Sequence, residues 1–171
     1  MCMSREFESY NVGRNLFLSK FCLESGLDSS IGPYFEEISR SLTQLDINIE
    51  SSNLTDAENI DEFLFERLNE KEVALLSLGV AVGMIQSVLL SMSAEEIVSP
   101  LTQGKMVGTV NLALQRVHIV LVELGILDIA IPLFELVEPL LGDFNRLKAS
   151  NELLLSKIQA FEDRIKKQFE C

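Results

Sequence analysis

The chain has few of the residues that interrupt helices. Its 171 residues include only 9 glycines and 4 prolines, whereas folds built from β-strands need many turns that use these residues. Hydrophobic side chains make up 47% of the chain and charged side chains 23%, a balance typical of one globular domain with a substantial core. The sequence therefore predicts a single all-α domain over residues 1–171.

Cysteine and histidine are equally scarce. Cys2, Cys22 and Cys171 are odd in number and scattered, so they fit neither a disulfide framework nor a zinc site. The only histidine, His118, lacks the Glu-x-x-His pattern of ferritin-like metal sites and any catalytic-triad motif. The charged N-terminus lacks the apolar core of a signal peptide. We therefore expect a reducing, cytoplasmic compartment and no cofactor.

Basic side chains are also few. The chain has 14 of them and 26 acidic ones, which gives a net charge of −12. Residues 1–72 carry 15 acidic and 6 basic side chains, whereas residues 142–171 carry 5 and 6. Phosphate groups repel such an acidic surface, and no basic stripe with interleaved aromatic residues is present. The sequence therefore predicts no nucleic-acid partner, and the same electrostatics disfavour anionic lipid.

The most distinctive feature that is present is an uncharged run of twenty residues, 73–92. At about 1.5 Å per residue it would span roughly 30 Å, enough to cross a bilayer. However, it contains glycine, glutamine and serine, and acidic residues flank both of its ends without a positive-inside asymmetry. We predict a buried helix that forms a central apolar hairpin with a second helix over residues 100–124. A helix that spans the membrane, or enters it on a trigger, is the alternative.

Small side chains recur at every fourth position of this run. Such a row lets the backbone of a neighbouring helix approach closely, in a soluble bundle as in a membrane. Gly104 and Gly108 have the same spacing and are the partner surface that we expect. The predicted helix-packing residues are Gly79, Gly83, Ser87 and Ser91.

About six helices are predicted around the hairpin. Residues 1–52 hold amphipathic helices, residues 56–141 the apolar core helices, and residues 143–171 a C-terminal helix that resembles a coiled coil. Local signals set the expected boundaries. The first helix closes at Gly26, the seam of the second runs from Phe35 to Ile49, a break falls at Asn69, helix starts follow Thr55, Ser93, Ser99, Asp128 and Asp143, and helix ends fall at Gly125 and near Pro139.

The C-terminal helix, Phe144 to about Phe169, carries the clearest heptad pattern. Asn151 within its seam is the kind of polar residue that fixes the register of a coiled coil at a cost in stability. We predict that this seam binds another copy of the chain or another protein. The alternative is that the seam packs on the chain's own bundle. The predicted interaction residues are Leu147, Asn151, Leu154, Ile158, Phe161 and Ile165.

Four carboxylates in otherwise apolar sequence suggest a different chemistry. Glu135-Leu-Val-Glu138 resembles the first half of the magnesium-binding motif, Glu-x-x-Glu then Glu-x-x-Asp, of all-α nucleotide pyrophosphohydrolases of the MazG type. The resemblance implies that Glu135 and Glu138 bind magnesium, although no Glu-x-x-Asp follows, and Glu123 and Asp128 are further carboxylates that we expect at such a site. The alternative is that the four carboxylates form the solvent-facing rim of an amphipathic helix.

No motif points firmly to catalysis, so the first prediction of function is a non-enzymatic helical interaction or assembly protein, an adaptor or a scaffold. Two alternatives stay open. One is a membrane-active protein whose central hairpin inserts on a trigger, and the other is the magnesium-dependent hydrolase.

Overall fold

Helices make up all the regular structure of a computed structural model that describes residues 4–24, 26, 31–48, 57–94 and 98–169. Within these ranges there is no strand, which confirms the prediction of an all-α bundle. Helices α4 and α5 form its central apolar hairpin. The α-helices are α1 (Arg5–Glu24), α2 (Gly32–Gln44), α3 (Ala57–Arg67), α4 (Glu70–Ala94), α5 (Pro100–Leu124), α6 (Ile131–Val137), α7 (Phe144–Ala149) and α8 (Asn151–Gln168), with 3-10 turns at Leu127–Ala130 and Glu138–Leu140.

The chain divides into two compact units, and the boundary between them lies within α4. The first unit comprises residues 1–83 and 169–171, and the second comprises residues 84–168. Each unit buries its own set of apolar side chains. Those of the first include Val12, Ile38, Leu42, Leu64 and Leu76, and those of the second include Leu89, Met92, Val117, Leu121, Leu133 and Leu147. The prediction that residues 1–171 form one domain stays a prediction.

Both ends of α5 lie where the sequence predicts them. The side chain of Ser99 accepts a hydrogen bond from the backbone N–H of Thr102 at 3.2 Å, which satisfies one of the unpaired donors at the helix start. Gly125 ends the helix at φ 72°, a left-handed conformation that a side chain disfavours. These two residues fix the length of the longest amphipathic helix of the second unit.

The predicted break at Asn69 is also present, and its cap is one that we did not predict. The Asn69 side chain accepts a hydrogen bond from the Glu72 N–H at 2.8 Å, and the Glu72 carboxylate accepts one from the Asn69 N–H at 3.1 Å. This reciprocal pair starts α4. Ser93, a predicted cap, instead lies inside α4 and donates to the Leu89 carbonyl, while Thr55 lies outside the described residues.

Glu72 also anchors α1 within the first unit. Arg5 donates from Nε to the Glu72 carboxylate at 2.7 Å and from Nη1 to the Leu45 carbonyl at 3.0 Å. The guanidinium therefore links the start of α1, the end of α2 and the start of α4. Glu72 is only 2% exposed, so water does not solvate its carboxylate and the ion pair with Arg5 takes that place, whereas Arg5 is 43% exposed.

Replacing Arg5 with methionine should destabilise the fold by about 2 kcal/mol, because a buried carboxylate loses its counter-ion while the methionine keeps most of the packing. This is below the cost for a fully buried pair, since water already screens the arginine. The matched control is Arg146→Met on the exposed surface of α7, with an expected change within about 0.5 kcal/mol. Urea unfolding of both variants measures the difference, and equal midpoints would show that the Glu72 contact contributes nothing.

Helix α2 is shorter than predicted. It ends at Gln44, and Asp46 follows with φ 56°, a left-handed conformation that aspartate tolerates better than most residues. Leu45, a residue of the predicted seam, is still buried, although it lies beyond the helix. The predicted seam therefore identified core residues correctly but extended the helix too far, and its last member, Ile49, lies outside the described residues.

Two predicted boundaries in the second unit are also wrong. Asp128 does not cap a helix, because it lies inside the 3-10 turn Leu127–Ala130 and the α-helix begins only at Ile131. The C-terminal helix is split at Ser150 into α7 and α8. The Asp143 cap is present, with its carboxylate accepting from Asn145 N–H at 3.0 Å.

In the first unit, α1 packs against the glycines of the small-residue row of α4. A Cβ built on Gly79 would collide with the Tyr10 carbonyl oxygen and lie 2.8 Å from Arg14 N, and one built on Gly83 would lie 3.0 Å from the Arg14 carbonyl oxygen. From the other side, a Cβ on Gly13 would collide with the Leu76 carbonyl oxygen. Backbones this close require glycine on both helices.

The rest of the row behaves differently. Ser87 is buried and donates to the Met84 carbonyl at 2.8 Å within its own helix, and Ser91 is half-buried. Gly104 and Gly108, the partner surface that we expected, are exposed, and no atom of the described residues lies within 4 Å of a Cβ built on either. The helix that the Gly79 and Gly83 backbones accommodate is therefore α1.

Candidate interaction surface

The predicted interaction seam of the C-terminal helix is buried inside the second unit. There α8 contacts α6 and the 3-10 turn Leu127–Ala130, and Arg164 donates to the Ile129 carbonyl at 3.2 Å. This is the arrangement of the alternative interpretation, in which the seam packs on the chain's own bundle. Binding of a partner through the seam stays a prediction. The buried seam residues are Leu147, Asn151, Leu154, Ile158, Phe161 and Ile165.

Polar contacts fix α8 against the second half of α4. The Asn151 amide donates to the Leu89 carbonyl at 2.6 Å, and the Gln86 amide donates to the Glu162 carboxylate at 3.1 Å. All three side chains are buried. Buried polar groups favour the one alignment that satisfies them, so these bonds select a register for α8. We expected Asn151 to fix the register of its helix, and the group that it contacts, the Leu89 carbonyl, belongs to the same chain.

Changing Asn151 to aspartate should destabilise the second unit by about 2–3 kcal/mol, because a buried carboxylate cannot donate to the Leu89 carbonyl and would repel it. Asn145→Asp is a matched control, since Asn145 is exposed and also lies in the first turn of a helix. It should be neutral or slightly stabilising at the positive end of the α7 dipole. Thermal unfolding compares the two, and equal losses would argue against the buried hydrogen bond.

The carboxylates of the hydrolase alternative do not converge. Glu123, Asp128, Glu135 and Glu138 are all exposed. Across the part of the chain that the structure describes, no three or more His, Cys, Asp or Glu side chains are grouped so that they could hold a metal ion. His118 is exposed too, with its ring centroid 6.0 Å from that of Phe134. The geometry therefore offers no support for magnesium-dependent hydrolysis.

Helix α5 has two apolar faces, and only one of them is buried. The face that packs in the second unit consists of Val110, Ala113, Leu114, Val117, Val120 and Leu121. On the opposite side four large side chains are exposed: Leu101 (71%), Leu112 (47%), Ile119 (57%) and Val122 (53%). In the most apolar stretch of α4, 67% of the residues are buried, whereas in the corresponding stretch of α5 only 33% are buried.

The exposed residues of α5 follow one line along the helix. Steps of alternately four and three residues keep side chains on one face, as in a coiled-coil seam. We call this line the α5 stripe. Its members, all exposed, are Leu101, Lys105, Gly108, Leu112, Gln115, Ile119 and Val122.

We did not predict this stripe, although a signal for it was present. The spacing of four and three runs unbroken through α5, but Lys105, Gly108 and Gln115 interrupt its apolar character. Because the opposite face is more apolar still, the helix appeared to be buried throughout. A comparison of the two faces position by position would have separated the stripe from the core.

No protein-family model, no curated protein and no solved structure matches the chain. Exposed rows of large apolar side chains on a folded protein commonly mark sites of protein or membrane contact. The α5 stripe is such a row.

Proposed function

We propose that this chain is a non-enzymatic interaction or assembly protein, an adaptor or scaffold, that binds a protein partner through the α5 stripe. The observation that carries the proposal is the exposure of Leu101, Leu112, Ile119 and Val122 on one line of a helix whose other face belongs to the core. A second helix or an apolar groove is the natural partner for such a line.

Burial of the stripe supplies part of the driving force for binding. Full burial of one such side chain is worth about 1.5–3 kcal/mol, and these four are roughly half exposed to begin with. Covering them therefore contributes on the order of 3–6 kcal/mol before the cost of association is subtracted. With further contacts at the rim, this fits a reversible complex better than a permanent one.

The charge and cysteine chemistry agree with a protein partner in a reducing, cytoplasmic setting. The net charge of −12 repels nucleic acid. Cys22 is a free, buried cysteine, and burial raises the pKa of its thiol above the ordinary value, which keeps it protonated at neutral pH.

A photo-crosslinking residue placed at Ile119 tests the proposal in extract of the native source. We expect a crosslinked protein product at this position and none when the same residue replaces Gln159, which is exposed on α8. Circular dichroism checks that both variants keep the fold. If Ile119 gives no more product than Gln159, the stripe is not the binding surface.

Membrane activity is the second candidate, and one observation favours it. Helices α4 and α5 are both long and apolar enough to cross a bilayer, although core helices of soluble proteins share this property. Flotation with zwitterionic vesicles distinguishes the candidates, because the acidic chain is not repelled by such lipid. Co-flotation that Ile119→Glu abolishes would favour membrane over protein as the target of the stripe.

A further inference from the structure

We infer that the partner of the α5 stripe is a second copy of this chain, packed antiparallel along the stripe with Lys105 of each copy beside Glu123 of the other. This inference rests on the proposed function and names its partner. Both residues are exposed, Lys105 on the stripe near the start of α5 and Glu123 at its border near the end. Their opposite signs at opposite ends select the direction of pairing.

Symmetry makes the charge argument specific. In a twofold dimer with parallel helices each stripe residue faces its own copy, so Lys105 would meet Lys105. In an antiparallel dimer residue i faces residue j and j faces i. If the twofold axis passes midway between Leu112 and Gln115, Lys105 of one copy lies opposite Val122 of the other and next to its Glu123. The symmetry produces this contact twice. The antiparallel arrangement replaces one repulsive contact by two attractive ones.

Side-chain size agrees with the same axis. It places Ile119 of one copy opposite Gly108 of the other, and Glu123 opposite Gly104. In the part of the chain that the structure describes, nothing lies within 4 Å of a Cβ built on either glycine. Glycine inside a helix is destabilising relative to alanine, and no contact among the described residues explains why α5 carries two of them. In the dimer they leave space for the large side chains opposite.

Sedimentation equilibrium of the full chain tests the inference. The wild type should associate reversibly to twice the 19.1 kDa of one chain. Lys105→Glu and Glu123→Lys should each raise the dissociation constant at least about tenfold, because each creates two like-charge contacts per dimer. Mixed in equal amounts, the two variants should associate again, since every contact between them is then between opposite charges.

Two further variants test whether the stripe is the dimer contact without changing the core. Ile119→Glu should leave the chain monomeric, and Gly108→Leu should do so too by filling the space that Ile119 needs. Both positions are exposed, so circular dichroism should show an unchanged fold. Retained association in both variants would exclude the stripe as the dimer contact.

The remaining outcomes separate this inference from the proposed function. Tighter pairing of Lys105→Glu with the wild type than of the wild type with itself would indicate a parallel dimer, in which residue 105 meets residue 105, and would overturn the antiparallel one. A wild type that stays monomeric at every concentration, while crosslinking from Ile119 captures a different protein, would overturn self-association and leave the proposed function standing. Failure of both experiments would overturn both.

Discussion

Gly79→Ala should destabilise the protein by at least about 3 kcal/mol. The added Cβ would collide with the Tyr10 carbonyl oxygen and lie 2.8 Å from Arg14 N, and both atoms belong to the backbone of α1. A backbone cannot rotate away as a side chain can, so α1 must move or the helices must separate. Overpacking usually costs 1–3 kcal/mol, and contact with rigid backbone lies at or above the upper end of that range.

The sign of this effect is what makes it informative. Inside a helix, glycine to alanine normally stabilises by about 0.5–1 kcal/mol, because alanine loses less backbone entropy. Gly104→Ala on the open side of α5 should show this ordinary gain when unfolding is measured at concentrations where the chain is monomeric. If both variants gain stability equally, α1 does not pack against the glycines of α4.

Aspartate at Leu121 should cost more than about 4 kcal/mol, whereas aspartate at the next residue, Val122, should change stability by less than about 0.5 kcal/mol. Leu121 is fully buried, and an unpaired carboxylate there would be desolvated. Val122 is 53% exposed on the α5 stripe, where water solvates the charge. The two changes are chemically alike and differ by one position on the same helix.

Urea unfolding of dilute protein measures this contrast, and sedimentation of the same samples adds a second readout. Val122→Asp should keep its fold, and its association should weaken less than that of Ile119→Glu, because residue 122 faces Lys105 of the other copy in the antiparallel dimer. Comparable destabilisation by both substitutions would mean that α5 is buried all round, and the stripe would then not exist as a free surface.

Both ends of α5 could be predicted because local chemistry decides them. Ser99 supplies a cap acceptor and Gly125 adopts a left-handed conformation, so α5 begins and ends at these residues whatever surrounds it. At the end of α4 the same reasoning failed. Ser93 has the spacing of a cap, yet it lies inside α4, where its hydroxyl donates to the Leu89 carbonyl instead.

The pairing of helix faces could not be predicted, because periodicity shows which face of a helix is apolar but not which other surface that face contacts. The heptad of α8 is the same pattern whether it packs on its own chain or on another one. The glycines of α4 indicate close approach, yet the matching residue, Gly13, stands alone in α1 without a repeating pattern. Only the folded arrangement shows that one apolar face of α5 is left uncovered.

Hydroxyl-radical footprinting of α5 at a series of protein concentrations tests the central claim most directly. In dilute protein, Leu112, Ile119 and Val122 should be oxidised readily while Val117 and Leu121 are protected. At high concentration the stripe should become protected and the core face should not change. If the stripe residues are as protected as Leu121 at the lowest concentration, the chain itself covers them, and they cannot be the surface through which it binds.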